Sequence, residues 1–407
     1  MVARSGRNTL RGNRRYHAGQ CQSRDNGRRG FYRALVGRLG LSGWPRSGSR
    51  AITRAMFAAL TALALSAPLA APAYAAPEFT TEAAPALDYD GALKAYESGD
   101  YAQALIAGKM AALGGDAEAQ VLVGYILMRG EVGPADKDEA AKWFLKAAAL
   151  NNTDAMVALG ELAIGGNGGL SQSDAIKWLK RAADKSRTDA MRALADIYLK
   201  GKGTAPDKAT GRGWLIKASN YGDALAQRKL GDIYFEKQAG NALVWYEKAA
   251  ENGDTEAAYI AAIMYAENFE IKPDSAKAAA LLKQAAKGGH AAAMADYGLI
   301  VYQGNGAEKS AAKAAQWFKK SAVAGDPEGR FLYAFTLAKG DGIAQNYEDA
   351  YYWLVRAQQD SGKTGADDYD RSRQELQQRL EQNLDASILE RARKRATSDK
   401  LLSVSGG

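Results

Sequence analysis

Between Trp245 and Glu267 the chain reads WYEKAAENGDTEAAYIAAIMYAE. Glu251 and Asp254 stand on either side of Asn252-Gly253. Two carboxylates closing across a tight turn can hold a divalent cation or divide acid and base work between them. Other stretches invite similar chemistry. Ser361-Gly362-Lys363-Thr364 has the ending of a phosphate-binding loop, and Gly165 to Gly169 reads GGNGG. His290 can act as an acid, a base or a ligand, Asp367-Asp368 can bind a cation, and Asn151-Asn152-Thr153 is a glycosylation sequon.

Each of these readings needs a partner or a context. The phosphate loop requires glycine where Ala357 stands, and a strand before it where the pattern reads helix. His290 has no second His beyond the leader to share a metal, so it reads as a surface residue at a helix start. The Asp pair lacks the dense ligand spacing of a calcium loop. The sequon matters only in a eukaryotic secretory route. The expectation is a chain with no catalytic, cofactor-binding or metal-binding residues, and hence not an enzyme.

Composition separates the front of the chain from the rest. Residues 1 to 75 hold thirteen Arg, no Lys and one acid, Asp25. Without them the totals of 54 bases and 46 acids fall to 41 and 45, a net of −4. The body is mildly acidic, which argues against nucleic acid as a partner. The single Cys, Cys21, and one of the two His, His17, also lie in the leader. The body therefore has no disulfide framework and no thiolate chemistry.

Residues 50 to 75 place Arg50 and Arg54 before an apolar run to about Leu65, then Pro68, Pro72 and Ala73-Tyr74-Ala75. That order describes a secretory signal cleaved between Ala75 and Ala76, leaving no transmembrane span. The alternative is an uncleaved membrane anchor. Residues 1 to 49 read as a disordered Arg-rich leader, or as a segment missing from the true product. Gly27 to Arg33, GRRGFYR, has a twin-arginine look but lies far from the apolar core, and an organelle transit peptide is a further reading.

From Gly91 onward the sequence repeats itself. Trp143, Trp178, Trp214, Trp245, Trp317 and Trp353 step by 35, 36, 31, 72 and 36 residues, with Leu281 filling the slot inside the double step. A two-residue joint follows each mark: Asn151-Asn152, Ser186-Arg187, Gly222-Asp223, Gly253-Asp254, Gly289-His290 and Gly325-Asp326, with Gly115-Asp116 opening the series. Counted from the second joint residue, offsets 3 and 8 are small while 7 and 11 are mostly large, which is one stripe of an α-helix. Small residues there let another helix approach. A second helix carries the Trp, a large ring between small neighbours three residues before and four after. The phase turns the acidic stretch at Glu251 into one joint among seven, with Gly253 ending a helix and Asp254 capping the next.

The pattern ALGELAIGGNGGLSQSDAIKWLKRAADKS and its copies resemble the Sel-one-like branch of the tetratricopeptide repeats, over residues 115 to 357 in seven units. The resemblance implies an all-α, right-handed α-solenoid of antiparallel helix-turn-helix repeats. The fourth unit lacks the glycine turn and is shorter, and the fifth lacks both the turn and the Trp, so a change of curvature is expected between residues 235 and 282. The organisation reads as 1–49 leader, 50–75 signal, 76–86 linker, 87–114 capping helix pair, 115–357 repeats, 358–397 capping helices and 398–407 disordered tail.

In tetratricopeptide arrays the first helix of each pair lines a concave groove. Offsets 5, 9 and 12 lie opposite the stripe assigned to the core, and they carry Tyr125, Arg192, Asp196, Arg228, Asp232, Phe235, Tyr259, Tyr302, Phe331 and Phe335. Aromatic and Arg residues on an exposed face suit a partner surface. The same apolar residues can instead pack between successive units. Arg192/Asp196 and Arg228/Asp232, spaced i, i+4, read as surface ion pairs. The leading expectation is an exported, periplasmic scaffold that binds a protein or peptide in the groove as an adaptor or regulator of an envelope process. The alternative is a polysaccharide- or peptidoglycan-associated envelope factor. An enzyme with an unrecognised site is the third reading.

Overall fold

The computed structural model describes residues 87–235, 237–266, 271–361 and 370–405. The leader, the cleavage site at Ala75 and Ala76, Gly362-Lys363-Thr364 and Asp367-Asp368 lie outside them. Among the described residues there are eighteen helices and no strand. The chain opens with the pair α1 (Tyr89–Glu97) and α2 (Tyr101–Leu113). Seven further pairs follow: α3 (Ala117–Arg129) with α4 (Lys137–Ala149), α5 (Thr153–Ile164) with α6 (Gln172–Ala183), α7 (Thr188–Lys200) with α8 (Lys208–Asn220), and α9 (Ala224–Phe235) with α10 (Ala239–Glu251). The last three are α11 (Thr255–Ala266) with α12 (Ser275–Lys287), α13 (Ala291–Gln303) with α14 (Ala311–Val323), and α15 (Pro327–Lys339) with α16 (Tyr347–Ser361). Then come α17 (Asp370–Asn383) and α18 (Ala386–Ser405). This is the all-α helical-repeat class, and no helix among the described residues is long and apolar enough to cross a membrane.

Two compact units divide the chain. One runs up to Leu159 and takes in Asn167–Gly169; the other holds Gly160–Gly166 and Leu170 onward. The boundary falls within α5.

The joints explain why the helices end where they do. The first joint residue has positive φ in all seven, from Asn151 at 63° to Gly289 at 97°. The next N–H then reaches back five residues: Asp116 to Ala111, Asp254 to Ala249, His290 to Ala285. This closes the helix end in the Schellman manner. The second joint residue caps the following helix. Asp116, Asn152, Asp223, Asp254 and Asp326 each accept the N–H three residues on, at 2.7 to 3.0 Å, and His290 does so through Nδ1 at 3.1 Å. Arg187 makes no such side-chain cap.

The core is built one residue away from where the Trp pattern placed it. Most of the Trp rings are only half-buried, and Lys146, Arg181, Lys217, Lys248 and Lys320 lie 4.0 to 5.0 Å over them. The buried side chain is the next one: Phe144, Leu179, Leu215, Tyr246, Leu282, Phe318 and Leu354. Four of these press onto the small residue at offset 8. A Cβ on Gly124, Gly160, Gly231 or Gly298 would lie 2.5 to 2.6 Å from Phe144, Leu179, Tyr246 or Phe318. Close approach through small residues holds, but the Trp serves as an outer ring stacked under a cation.

At the C-terminal end α16 is covered by both α17 and α18. Arg391 and Arg395 reach Glu348 and Asp349 at 2.7 and 2.8 Å, and Tyr351 donates to Glu381 at 2.8 Å. The sequence reading stops the cap at residue 397 and leaves a disordered tail. The helix continues to Ser405 instead, with Ala396 buried and Asp399 accepting the Tyr352 hydroxyl at 2.6 Å.

Candidate functional site

The ten residues assigned to an open face divide into three groups once their surroundings are traced. Offset 5 is not open. In the longer unit it meets the joint of the following repeat. Arg192 Nε donates to Asp223 Oδ2 at 3.0 Å, and Arg228 Nε to Asp254 Oδ2 at 2.8 Å. Tyr259, 7 % exposed, stacks on His290 with ring centres 4.3 Å apart. Phe331, 4 % exposed, has the Arg373 guanidinium 5.7 Å from its ring. The physical reason is that successive first helices pack against one another's N-terminal ends. Offset 5 therefore falls in the seam between repeats.

The i, i+4 pairs read from the sequence are replaced by longer-range bonds. Asp196 accepts Lys229 Nζ through both oxygens at 2.7 Å. Asp232 accepts the Tyr246 hydroxyl at 2.8 Å. Phe235 is buried edge-on to Tyr246 at 6.4 Å. In the shorter unit, Tyr125 is half-buried with its ring edge-on to Phe144 at 5.2 Å.

Burial pushes the Asp232 carboxyl up, and the Tyr246 hydrogen bond and Arg228 oppose this only in part. An acid raised in the folded state releases its proton first in the unfolded chain. Asp232 therefore opposes folding above the ordinary carboxylate range, and the opposition disappears as the pH falls through that range. Asp232→Asn, which keeps an acceptor for Tyr246, is expected to raise the melting temperature at neutral pH. The gain should shrink toward zero at pH about 4, as paired thermal melts would read.

His290 is not the surface residue the sequence suggests. It caps α13 through Nδ1, so the ring proton sits on Nε2, 3.1 Å from Glu256 Oε2, while Tyr259 covers one ring face. All its bonding capacity is committed within the repeat seam.

Tyr302 is half-buried and clasped. Its hydroxyl donates to Asp341 Oδ2 at 2.6 Å and accepts from Lys339 Nζ at 3.0 Å, while Lys339 and Asp341 pair at 2.9 Å. Both hydrogen bonds hold the Asp341 carboxyl below its usual range. In the shorter unit Tyr96, Arg129 and Glu131 form a similar clasp at 2.9 to 3.6 Å, with the cation and the acid at the same offsets and the Tyr again next to last in its helix. Sequence reasoning missed these clasps. Their signal was a Tyr ending one first helix, with a cation and an acid around the glycine turn of the next. It also missed Gln120, Gln227 and Arg330, each reaching back eight residues to a helix-end carbonyl at 3.1 to 3.3 Å.

What stays open is narrower than the predicted face. Ile263, Leu299 and Phe335 occupy offset 9 in three consecutive repeats of the longer unit. Ile263 and Leu299 are half-buried, and Phe335 is 41 % exposed, 6.5 Å from the buried Phe331 ring. This apolar strip suits contact with another apolar surface. The acids at the same offset in the preceding repeats, Asp196 and Asp232, are already bonded.

Among the described residues no group of three or more His, Cys, Asp or Glu could hold a metal ion. The GGNGG stretch is a turn, with Gly166, Gly168 and Gly169 at positive φ. Ser361 closes α16, so no strand precedes it.

Comparison with known proteins agrees with this architecture. A family model for the Sel1 repeat matches residues 117–152, 153–186, 188–223, 224–254, 255–290, 291–326 and 327–357, together more than half of the chain. The crystal structure of a Sel1 repeat protein from Oxalobacter formigenes is similar at 25 % identity and a TM-score of 0.53, covering 68 % of this chain and 84 % of that one. The crystal structure of c5321, a protective antigen of uropathogenic Escherichia coli strains displaying an SLR fold, is 23 % identical with a TM-score of 0.37, covering 76 % of this chain and 83 % of that one. Among curated proteins no relative matches this chain. The seven phased joints, the helix pairs they separate and the family match all point the same way: the chain belongs to the Sel1 repeat family, a scaffold fold that generally serves protein–protein interaction.

Proposed function

We propose that this chain is exported, processed between Ala75 and Ala76, and acts in the periplasm as a scaffold that captures a protein or peptide on the strip Ile263, Leu299 and Phe335. Such a scaffold would serve as an adaptor or regulator of an envelope process. The observation that carries the reading is Phe335, a large ring 41 % exposed at an offset shared with two other apolar side chains. An aromatic ring left in water beside other apolar side chains is a common anchor of a protein contact. The glycan reading needs several open rings, and of the six aromatic candidates Phe335 alone is exposed. Export rests on the positive, apolar and small-residue order of residues 50 to 75.

The test is affinity capture from the native envelope with the processed chain, in parallel with Phe335→Asp. The variant is expected to lose the retained protein by about tenfold or more, with unchanged helical circular dichroism because the side chain is exposed. Equal retention by both forms would overturn the strip. N-terminal sequencing of the same sample is expected to begin at Ala76, and a start within the apolar run would overturn processing.

A further inference from the structure

The outer face of the second helices is solvent-exposed and, in the repeats, mostly polar, with single exposed apolar side chains such as Leu145, Ile216, Val244 and Val323. Three residues after the Trp mark stand Lys146, Arg181, Lys217, Lys248, Gln284, Lys320 and Arg356. In α2 the mark is Ala107 and the cation slot is Met110. The exposed residues of α2 are Ala102, Ile106, Lys109, Met110 and Leu113, with no acid among them. Ile106, Met110 and Leu113 are 56 %, 54 % and 72 % exposed. They follow one another at i, i+4 and i+7, so they form one ridge along the helix.

This ridge is not the consequence of a chain end. In the interior repeats the same slots are mostly filled by charged, polar or small residues; Val244 and Val323 are exposed exceptions, and in no other helix are all three slots apolar. The next second helix of the same unit, α4, adds exposed Leu145 and Leu150 together with Lys142 and Lys146. Lys142 pairs with Glu139 at 2.9 Å, yet both its side chain and that of Lys109 remain outward. The exposed charges of α2 and α4 are Lys109, Lys137, Lys142 and Lys146 against Asp138, so the two helices are apolar and net cationic outward, on a body whose net charge from Ala76 onward is −4.

We propose that this face docks the shorter unit on an anionic lipid surface. Three protruding apolar side chains can enter the boundary between headgroups and acyl chains, while the lysines beside them reach up to lipid phosphates. Each lysine near such a surface adds to the attraction. Charge selects the lipid over a second copy of the chain, since a two-fold contact through this ridge would bring Lys109 against Lys109. The docking face lies on the shorter unit and the strip around Phe335 on the longer one, so the proposal does not depend on capture of a partner by that strip.

The test uses the full chain with Cys21→Ser, carrying an environment-sensitive fluorophore on Met110→Cys or, as control, on Val323→Cys. Val323 is 69 % exposed on α14, at the slot that Leu113 fills on α2. With phosphatidylglycerol vesicles the Met110 probe is expected to shift to the blue and the Val323 probe to stay aqueous. Phosphatidylcholine vesicles should give no shift, and Ile106→Asp with Leu113→Asp should weaken the response about tenfold. The arginine-rich leader can hold any of these chains near the vesicle, but it cannot carry the Met110 probe alone into the lipid. An unshifted Met110 probe overturns the proposal. So does a vesicle-independent shift: one that grows with protein concentration assigns the ridge to a second copy, and one at every concentration assigns it to the chain itself.

Discussion

Replacing Tyr246 with Ala is expected to lower the unfolding free energy by about 3 to 5 kcal/mol, among the larger effects a single substitution produces. The ring is fully buried, and it occupies the space that glycine at 231 leaves open. With Gly231 opposite, no neighbouring side chain can slide in to fill the cavity. Phe235 loses its edge-on partner, and Asp232 loses the hydroxyl that satisfies a half-buried carboxylate. Tyr246→Phe separates the two contributions, since it keeps the volume and removes only the donor. Its expected cost is about 1 to 3 kcal/mol, that of leaving one buried acceptor unmet. Denaturant titration gives both values. Because repeat arrays gain stability from nearest-neighbour interfaces, amide exchange should quicken most in α9, α10 and α11. It should change little in α1 and α2. A loss under about 1 kcal/mol for Tyr246→Ala would mean that the site collapses around the cavity, against the packing described.

The repeat was legible because its helices are short and its joints chemically distinct. A positive φ in every joint favours Gly or Asn, and a free first-turn N–H favours Asp or Asn. These local requirements show in the residue types. The family match and the helix pairs agree with that reading. The open face was far less legible. Helical periodicity tells which residues share a side of one helix, but not which side another repeat covers. Tyr259 and Phe335 look alike in the sequence; one stacks on His290 and the other stands in solvent. Arg228 and Asp232 have the i, i+4 spacing of an ion pair on an isolated helix, whereas here the guanidinium bonds Asp254 at 2.8 Å. The position of the core residue beside the Trp was missed for a related reason. Aromatic size marks a repeat strongly, yet Leu179 and Leu215 fill the same core slot as Phe144 and Tyr246 without standing out.

Asp254→Ala is expected to cost about 3 kcal/mol or more, although as a helix cap the residue accounts for only about 1. Asp254 Oδ1 caps α11 at the Ala257 N–H, and its Oδ2 takes the Arg228 guanidinium at 2.8 Å, with both side chains largely withdrawn from water. Removing the carboxylate strands a desolvated cation between two repeats, and that is the dominant cost when one partner of a buried pair is lost. Asp116 provides the internal comparison. It caps α3 in the same geometry, at 2.8 Å from the Ala119 N–H, and offset 5 of the preceding helix pair, counted from the α1 cap Asp88, is Leu93, which brings no cation. Asp116→Ala should therefore cost about 1 kcal/mol. The double variant Arg228→Ala with Asp254→Ala should recover part of the larger loss, because the stranded charge is then gone. Denaturant melts of the four chains decide the matter. Equal costs at Asp254 and Asp116 would show that the Arg228 contact carries no weight. Unequal costs would show that the acidic turn at Glu251 to Asp254 serves the seam between repeats rather than any catalysis, with Asp254 holding cap and cation together and Glu251 left in solvent.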